Sequence, residues 1–430
     1  MLKKLLGTSG TRVFSAIVSF LILLLATNKL GKEAWGIAAF VVVDASVILL
    51  LVEMLAGSGL VYFTPRKSIR TLLKVAYTWI FVMVLVAYFL FQLLALFPSI
   101  YTEIIPEGYA CDILVVVLLN ALHFVNLNVL LGKGKVKQYN ILFFVQFATQ
   151  LLAMLFFIYV LDMHDAYAFI YALYTSFLAP MLPGLVFLYG FVKKEQKKDK
   201  FFETFKESIR FGVVIQLSSL VSIINRRLSL FIINKYNGIG SVGVYNSGVQ
   251  ITEGLKLIAQ SIALVQFSSI SNSNSHSYAV RLTVQLMKLA TILTALALLV
   301  LISVPRSVFE FVFSKDFGEI KLVIVTLAPA VLCIAANNIF SHFFSGINKP
   351  QHNLIGSIIG FFVTIPAALL LIPNYGFIGA GLTTSITFFA VIVYQWVVFR
   401  KMTQTRFVDL IPDKSDWKLL VLLSKQMLRK

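Results

Sequence analysis

Residues 132–140 of this chain read Gly-Lys-Gly-Lys-Val-Lys-Gln-Tyr-Asn, and residues 346–353 read Gly-Ile-Asn-Lys-Pro-Gln-His-Asn. The two stretches begin 214 positions apart, differ in length by one residue, and each lies between two long apolar runs. A second pair of motifs lies at a similar distance, because Asn28-Lys29 and Asn234-Lys235, about 206 positions apart, both precede a glycine-containing turn. Two matches at similar spacing indicate a chain built as two similar halves.

The composition is that of a protein whose solvent is lipid. The 430 residues are 59% hydrophobic and only 13% charged, with a mean hydropathy of +0.88. A soluble domain carries roughly twice that charged fraction, and 38 Phe with four Trp fit a lipid-facing surface with aromatic belts. The chain is therefore predicted to be an integral membrane protein. In that class, duplicated halves are typical of alternating-access transporters, whose substrate binds between the repeats.

Twelve apolar stretches are long enough to cross the hydrocarbon core, which takes about 20 helical residues. They lie near 10–28, 36–60, 74–97, 112–131, 141–161, 167–192, 211–233, 239–268, 283–304, 322–345, 354–372 and 377–399. They do not alternate in polarity as barrel strands do. The predicted fold class is an all-α polytopic membrane protein, with twelve transmembrane helices in two six-helix lobes around a central cavity. The predicted parts are an N-terminal lobe (1–192), a basic cytoplasmic linker (193–210), a C-terminal lobe (211–399) and a cytoplasmic amphipathic tail (400–430).

Lysine and arginine collect on one side of the predicted membrane. With a cytoplasmic N-terminus, the inside segments hold 26 of the 37 basic residues, whereas the loop 98–112 on the other side holds none. This asymmetry follows the positive-inside rule and predicts that both termini are cytoplasmic. The net charge of +18 is then explained by attraction to anionic headgroups rather than by binding to nucleic acid.

The sequence contains no arrangement typical of catalysis or metal binding. Its five histidines are scattered and none lies at a metal-ligand spacing. Cys111 and Cys333 are too few and too far apart in sequence to imply a disulfide framework, and no phosphate-binding P-loop is present. The chain is therefore predicted not to be an enzyme and to use no metal ion or cofactor. Transport would be driven by an ion gradient or by the gradient of the substrate itself.

Charged residues inside the predicted spans define the candidate site, because each costs at least about 2.5 kcal/mol at mid-membrane on insertion scales. The eight are Arg12, Asp44, Glu53, Arg226, Arg227, Glu253, Lys256 and Lys288. Seven of the eight lie in spans one, two, seven and eight, the first two of each half. This clustering predicts one polar cavity between the halves. Asn246 and Gln250 of span eight lie on the same helical face as Glu253 and Lys256, and join the candidate site.

Arg226 is the leading candidate among these residues. It shares a helical face with three serines of span seven, whereas Arg227 continues an apolar row and is interpreted as snorkelling toward the outer interface. A rise of 1.5 Å per residue puts Arg226 about 22 Å from the inner end of its span and Asp44 about 12 Å from the outer end of span two. An Arg226–Asp44 pair is therefore predicted in the empty site. For Glu253 and Lys256, at i and i+3, mutual neutralisation stays open as the alternative.

Several loop motifs resemble those of a known family. They are Asn28-Lys29 with Glu33–Gly36, Ser241–Asn246 opening span eight, Gly346–Asn353 before span eleven, and Ile372–Gly381 before span twelve. Together with twelve spans in two halves, they resemble the bacterial polysaccharide flippases, which act on O-antigen and other lipid-linked oligosaccharides. That family belongs to the multidrug/oligosaccharidyl-lipid/polysaccharide exporter superfamily. The resemblance covers nearly the whole chain and depends on the joint occurrence of the motifs.

The resemblance implies two lobes that open alternately to the two sides of a bacterial cytoplasmic (inner) membrane. It implies flipping of sugar repeat units linked to polyprenyl pyrophosphate, for polysaccharide biosynthesis, with membrane lipids, a polysaccharide polymerase and glycosyltransferases as partners. Basic cavity residues are general in these flippases, which here implies Arg226, Lys256 and Arg12. Guanidinium groups bind pyrophosphate in a bidentate manner. The three carboxylates of the candidate site make the predicted cavity mixed in sign.

The alternative is a cation-coupled exporter of small organic cations, of the multidrug and toxin extrusion type. Asp44 or Glu253 would then be the site that binds a proton or a sodium ion. Neighbouring genes would separate the two, because glycosyltransferase genes favour the flippase.

Overall fold

The computed structural model describes the backbone of residues 2–57, 59–193, 195, 199–271, 275–347, 349 and 351–410. Side chains are described for the same residues except 2–13, 100, 103, 214, 215, 217–226, 258, 261, 264, 265, 267–269 and 271. Within this part of the chain the regular secondary structure consists of helices, with no strand.

The first compact unit runs from Met1 to Gly243. It contains α1 (Leu2–Leu25), α2 (Gly31–Ala56), α3 (Gly59–Phe63), α4 (Ile69–Ala95), α5 (Pro98–Ile104), α6 (Ala110–Gly132), α7 (Val136–Tyr159), α8 (Ala166–Lys193) and α9 (Phe201–Asn237). A π-helical turn, Ala26–Leu30, joins α1 to α2, and the φ of +81° at Gly31 allows the change of direction there. Ser68 caps α4, because its side chain accepts a hydrogen bond from Thr71 N–H.

The second compact unit runs from Val244 to Lys430. It contains most of α10 (Ile239–Ser271), then α11 (His276–Ser303), α12 (Arg306–Phe313), α13 (Ile320–Gly346) and α14 (Gln351–Thr403). Gly376 interrupts α14 with φ 56° and ψ −134°, so the 53 residues of α14 form two helices. Aromatic side chains of α13 and α14 build the core of this unit, where Phe343 and Phe399 are fully buried with ring centroids 5.0 Å apart.

Each of the twelve predicted spans corresponds to a long helix. Eight helical segments of the described residues are long and apolar enough to cross a membrane, and two of them, Phe14–Phe63 and Gln351–Thr403, contain two predicted spans each. Ten spans are thus accounted for, and the other two are α9 and α10, the helices that carry four of the eight embedded charges. The chain is an all-α polytopic membrane protein, as the sequence predicts.

The motifs at residues 132–140 and 346–353 connect corresponding helices in the two halves. Residues 132–140 form the turn from α6 to α7, where Gly134 has a φ of +69°. Residues 346–353 connect α13 to α14, and Asn353 Nδ2 donates hydrogen bonds to Ser341 O at 3.0 Å and Ser345 Oγ at 3.1 Å. Each stretch therefore joins two consecutive spans.

Helix α2 lies at the centre of the first unit, and α9 packs along it. Glycine permits this close approach, because a Cβ at Gly212 of α9 would overlap the carbonyl oxygen of Met54 in α2. At the other end of α2, a Cβ at Gly36 would overlap the carbonyl oxygen of Ile239, the first residue of α10. Contacts therefore group α9 with the first unit, and the boundary between the compact units follows Gly243. The division into two six-helix lobes with a linker at 193–210 stays a prediction.

Candidate functional site

Asp44 of α2 and Arg227 of α9 are the embedded charges that the first unit brings into contact. Arg227 Nε lies 2.7 Å from Asp44 Oδ1, and the two side chains are 15% and 8% exposed. Arg227 Nη2 donates to the carbonyl oxygen of Ile104, the last residue of α5. The guanidinium also lies over the ring of Phe40, 4.7 Å from its centroid. One arginine thus ties α2, α5 and α9 together.

The pair leaves part of its hydrogen-bonding capacity unused. Arg227 Nη1 and Asp44 Oδ2 are both buried and have no hydrogen-bond partner in the described part of the chain. A buried polar atom without a partner costs about 1–3 kcal/mol, and more when the group is charged. An anionic oxygen that reached Nη1 would remove that cost on the arginine. The arrangement can therefore accept an anionic group without first breaking every contact that Arg227 makes.

The identity of the arginine corrects the sequence analysis. The pairing of Asp44 was predicted for Arg226, and the structure gives it to Arg227. The side chain of Arg226 lies outside the described residues. The interpretation of Arg227 as snorkelling toward the outer interface is wrong, because its side chain is largely buried and its charge is held by α2.

A second polar contact between the same two helices explains the error. Gln216 Nε2 of α9 donates to Glu53 Oε2 of α2 at 3.1 Å, and Gln216 is 5% exposed. Gln216 and Arg227 are eleven positions apart, about three helical turns, so they lie on one face of α9. Gln216 and Arg227 therefore mark the face of α9 that packs on α2. Gln216 is a polar residue on the same helical face as Arg227. Its position was the signal in the sequence that would have identified this face as buried.

The remaining candidate residues lie on α1 and α10. In α10, Lys256 Nζ lies 3.7 Å from Glu253 Oε1. The two residues thus form the i, i+3 ion pair that was the alternative in the sequence analysis. Asn246 is 4% exposed and Gln250 is partly buried. The side chain of Arg12 in α1 lies outside the described residues. Convergence of these residues with Asp44 and Glu53 on one cavity stays a prediction.

Other buried polar groups join helices within the first unit. His123 Nε2 of α6 lies 3.2 Å from Gln146 Oε1 of α7. Tyr174 of α8 donates to Asp112 Oδ1 of α6 at 2.6 Å. Among the residues that the structure describes, no group of three or more His, Cys, Asp or Glu side chains is placed to hold a metal ion.

Sequence comparison relates the chain to polysaccharide biosynthesis. It matches the family model described as "Polysaccharide biosynthesis protein" over residues 29–322, or 294 of the 430 residues. An uncharacterized membrane protein of Methanocaldococcus jannaschii is 23% identical over 282 residues, which are 63% of this chain and 54% of that protein. The capsular polysaccharide biosynthesis protein CapF of Staphylococcus aureus is 19% identical over 201 residues, covering 46% of this chain and 51% of CapF. The chain spans about half the length of these curated relatives.

Comparison with solved structures gives the fold. The lipid II flippase MurJ in an inward closed conformation has a TM-score of 0.69 and 16% identity, covering 93% of this chain and 89% of MurJ. An inward-facing multidrug resistance transporter of the MATE family, in the MOP superfamily, has a TM-score of 0.68 and 16% identity, covering 90% of this chain and 94% of the transporter. The fold is thus that of MOP-superfamily transporters, and the family match over 294 residues shows that this multi-pass membrane protein belongs to the polysaccharide biosynthesis protein family.

Proposed function

We propose that the chain is an alternating-access transporter that flips sugar repeat units linked to polyprenyl pyrophosphate across the cytoplasmic membrane. The observation that carries the proposal is the match to the polysaccharide biosynthesis family over residues 29–322. The fold supports it, because one of the similar structures is described as a lipid II flippase. Flipping requires a protein that shields a charged headgroup from lipid, and embedded charges within a helical transporter fold can do so.

Arg227 is the residue that we assign to the pyrophosphate. It is held by Asp44 and the Ile104 carbonyl, yet Nη1 has no partner in the described part of the chain. A pyrophosphate offers several anionic oxygens, and Arg binds such groups through two parallel hydrogen bonds. Asp44 then serves as the counter-ion that occupies Arg227 while the site is empty.

The other sequence candidates complete the proposed cavity. They are Arg12, Glu53, Arg226, Asn246, Gln250, Glu253 and Lys256. Their roles are assigned by residue type. The cations attract the pyrophosphate, the amides donate hydrogen bonds to sugar hydroxyls and accept them, and the carboxylates accept hydrogen bonds from sugar hydroxyls. Polymerase and glycosyltransferase partners belong to the same proposal, since they would consume and supply the repeat unit.

A vesicle assay with a fluorescent polyprenyl-pyrophosphate-linked sugar tests the proposal. Purified protein should speed the movement of the probe between leaflets. The Arg227→Lys variant keeps the charge but loses the planar fork, so transport should fall by about tenfold or more, the equivalent of one charge-assisted hydrogen bond. The matched control is Arg306→Lys, an arginine with a 61% exposed side chain on α12. Equal transport by both variants, or no acceleration by the parent protein, would count against the assignment.

The second candidate function is cation-coupled export of small organic cations. One observation favours it: the contact described for the embedded Glu53 is with the neutral amide of Gln216. A carboxylate held by a neutral donor is a group that can bind a proton or a sodium ion. The same vesicles loaded with an organic cation, under a proton or sodium gradient, separate the two functions.

A further inference from the structure

Two acidic residues between α8 and α9, Glu195 and Asp199, contact the residues at the start of α4. Glu195 accepts hydrogen bonds from Ser68 Oγ at 2.9 Å, from the backbone N–H of Ile69 at 2.8 Å and from that of Arg70 at 3.1 Å. These N–H groups belong to the first turn of α4, where a helix leaves its donors without internal partners. A carboxylate at that end also interacts favourably with the helix dipole. Glu195 therefore caps α4 from a segment about 126 positions away.

Asp199 and Glu207 extend this contact. The Asp199 side chain accepts a hydrogen bond from Ser68 N–H, and the Asp199 carbonyl accepts one from Thr71 Oγ1 at 3.2 Å. Glu207, in the second turn of α9, lies 2.9 Å from Lys67 Nζ. That hydrogen bond raises the pKa of the Lys67 ammonium and so favours its charged form.

We name this set of contacts the cytoplasmic clamp: Glu195, Asp199 and Glu207 on one side, and residues 67–71 on the other. It lies at one end of the packing between α2 and α9. The 37 residues of α9 span about 55 Å, longer than the hydrocarbon core of about 30 Å. The first turns of α9 therefore extend beyond the core, on the side that the positive-inside rule predicts to be cytoplasmic.

The clamp differs in kind from the rest of the contact between α2 and α9. Near Gly212 the two backbones touch, and the contact excludes a side chain. In the clamp the Lys67–Glu207 ion pair is exposed, with side-chain exposures of 21% for Lys67 and 51% for Glu207, whereas Ser68 and Ile69 are buried. Exposed ion pairs contribute little net stability, because water replaces each contact when it breaks. The Lys67–Glu207 pair is therefore the part of the clamp that can open and close without disrupting a packed core.

We propose that the cytoplasmic clamp is a gate that joins α4 to the start of α9 and has to open once in each transport cycle. The proposal rests on the proposed function, because a substrate assembled in the cytoplasm has to enter from that side. An alternating-access protein needs contacts there that form and break reversibly. The competing possibility is a permanent strut that stays closed throughout the cycle.

Reversible crosslinking separates a gate from a strut. Cysteines replace Lys67 and Glu207 in a background where Cys111 and Cys333 are serine, and a short reducible bis-thiol reagent joins them. Transport of the fluorescent polyprenyl-pyrophosphate-linked sugar should fall in proportion to the crosslinked fraction and return on reduction. The control pair is Lys200 with Glu203, which lie 3.3 Å apart within one segment, so a crosslink there should leave transport unchanged. Undiminished transport by fully crosslinked protein would overturn the proposal.

Hydrogen exchange tests the gate without any substrate, and so separates its failure from a failure of the proposed function. The amides of Ile69 and Arg70 donate hydrogen bonds to Glu195, and these bonds slow their exchange. Their exchange should be faster in Glu195→Ala than in the parent protein, and slower in the crosslinked protein than before crosslinking. If crosslinking leaves the exchange rate of residues 68–71 unchanged, the clamp does not open in the free protein and the gate is refuted.

Discussion

Replacing Arg227 by leucine should destabilise the protein strongly, because Asp44 would remain as a buried charge without a partner. The Nε to Oδ1 distance of 2.7 Å gives a gross attraction of about 6 kcal/mol at an effective dielectric constant of 20. Desolvation of both groups offsets part of this attraction, and removing one partner of a buried pair typically costs about 3–5 kcal/mol. Arg227→Leu should therefore lower the free energy of unfolding by about that amount.

The double replacement Asp44→Leu with Arg227→Leu should recover most of the lost stability. It leaves neither charge in the interior, and exchanging a buried ion pair for apolar side chains is often neutral or stabilising. Transport should nevertheless stay absent, because the group assigned to the pyrophosphate is gone. The double variant is thus predicted to regain stability relative to Arg227→Leu without regaining transport.

Thermal unfolding in detergent, alongside the vesicle assay, measures both quantities. Arg306→Leu is the control for stability, since its ion pair with Glu310 is exposed and should contribute at most about 1 kcal/mol. If Arg227→Leu unfolds and transports like the parent protein, the Asp44–Arg227 pair is neither a structural nor a functional site. If the double variant is no more stable than the single one, the cost comes from lost packing and not from the unpaired carboxylate.

Two further predictions follow from the fold. Gly212→Ala should lower the yield of folded protein in a size-exclusion profile, since its Cβ would overlap the Met54 carbonyl, whereas Gly254→Ala, with open space around it, should not. Reporter fusions should place 132–140 in the cytoplasm and 98–111 outside; a cytoplasmic 98–111 would contradict the predicted topology.

The spans were predictable from the sequence because hydropathy is a local property. A stretch of about 20 apolar residues crosses a membrane as an α-helix, because the backbone hydrogen bonds have to be formed within the segment. The short helices α3, α5 and α12 were not predicted, as each is too brief to leave a clear signal. Ile104 at the end of α5 is therefore a contact of Arg227 that no sequence pattern indicated.

The partner of Asp44 was predictable to within one residue, and the reason for the difference is tertiary. Depth along a helix follows from counting residues, so the sequence correctly brought span two and span seven together at Asp44. The direction in which a side chain points depends on which neighbour covers that face. The apolar row leading to Arg227 could face lipid or another helix, and only the packing of α9 on α2 decides between them.

The clamp was hidden for a related reason. Residues 193–210 contain seven basic residues, and their composition indicates a solvated linker. The acidic side chains Glu195 and Asp199 are a minority there, yet they are the ones that contact the loop before α4. Composition reports the average charge of a segment and carries no information on which side chains face inward.

The packing of α9 on α2 has a consequence for how the protein is made. Asp44 leaves the ribosome 183 residues before Arg227, its partner in the finished structure. At typical synthesis rates of about 5–20 residues per second, α2 waits roughly 10–40 s for the helix that neutralises it. During that time the growing chain holds an embedded acid whose protein counter-ion has not yet been translated. Insertion of the first six spans therefore leaves Asp44 without Arg227, its partner, until α9 has been made.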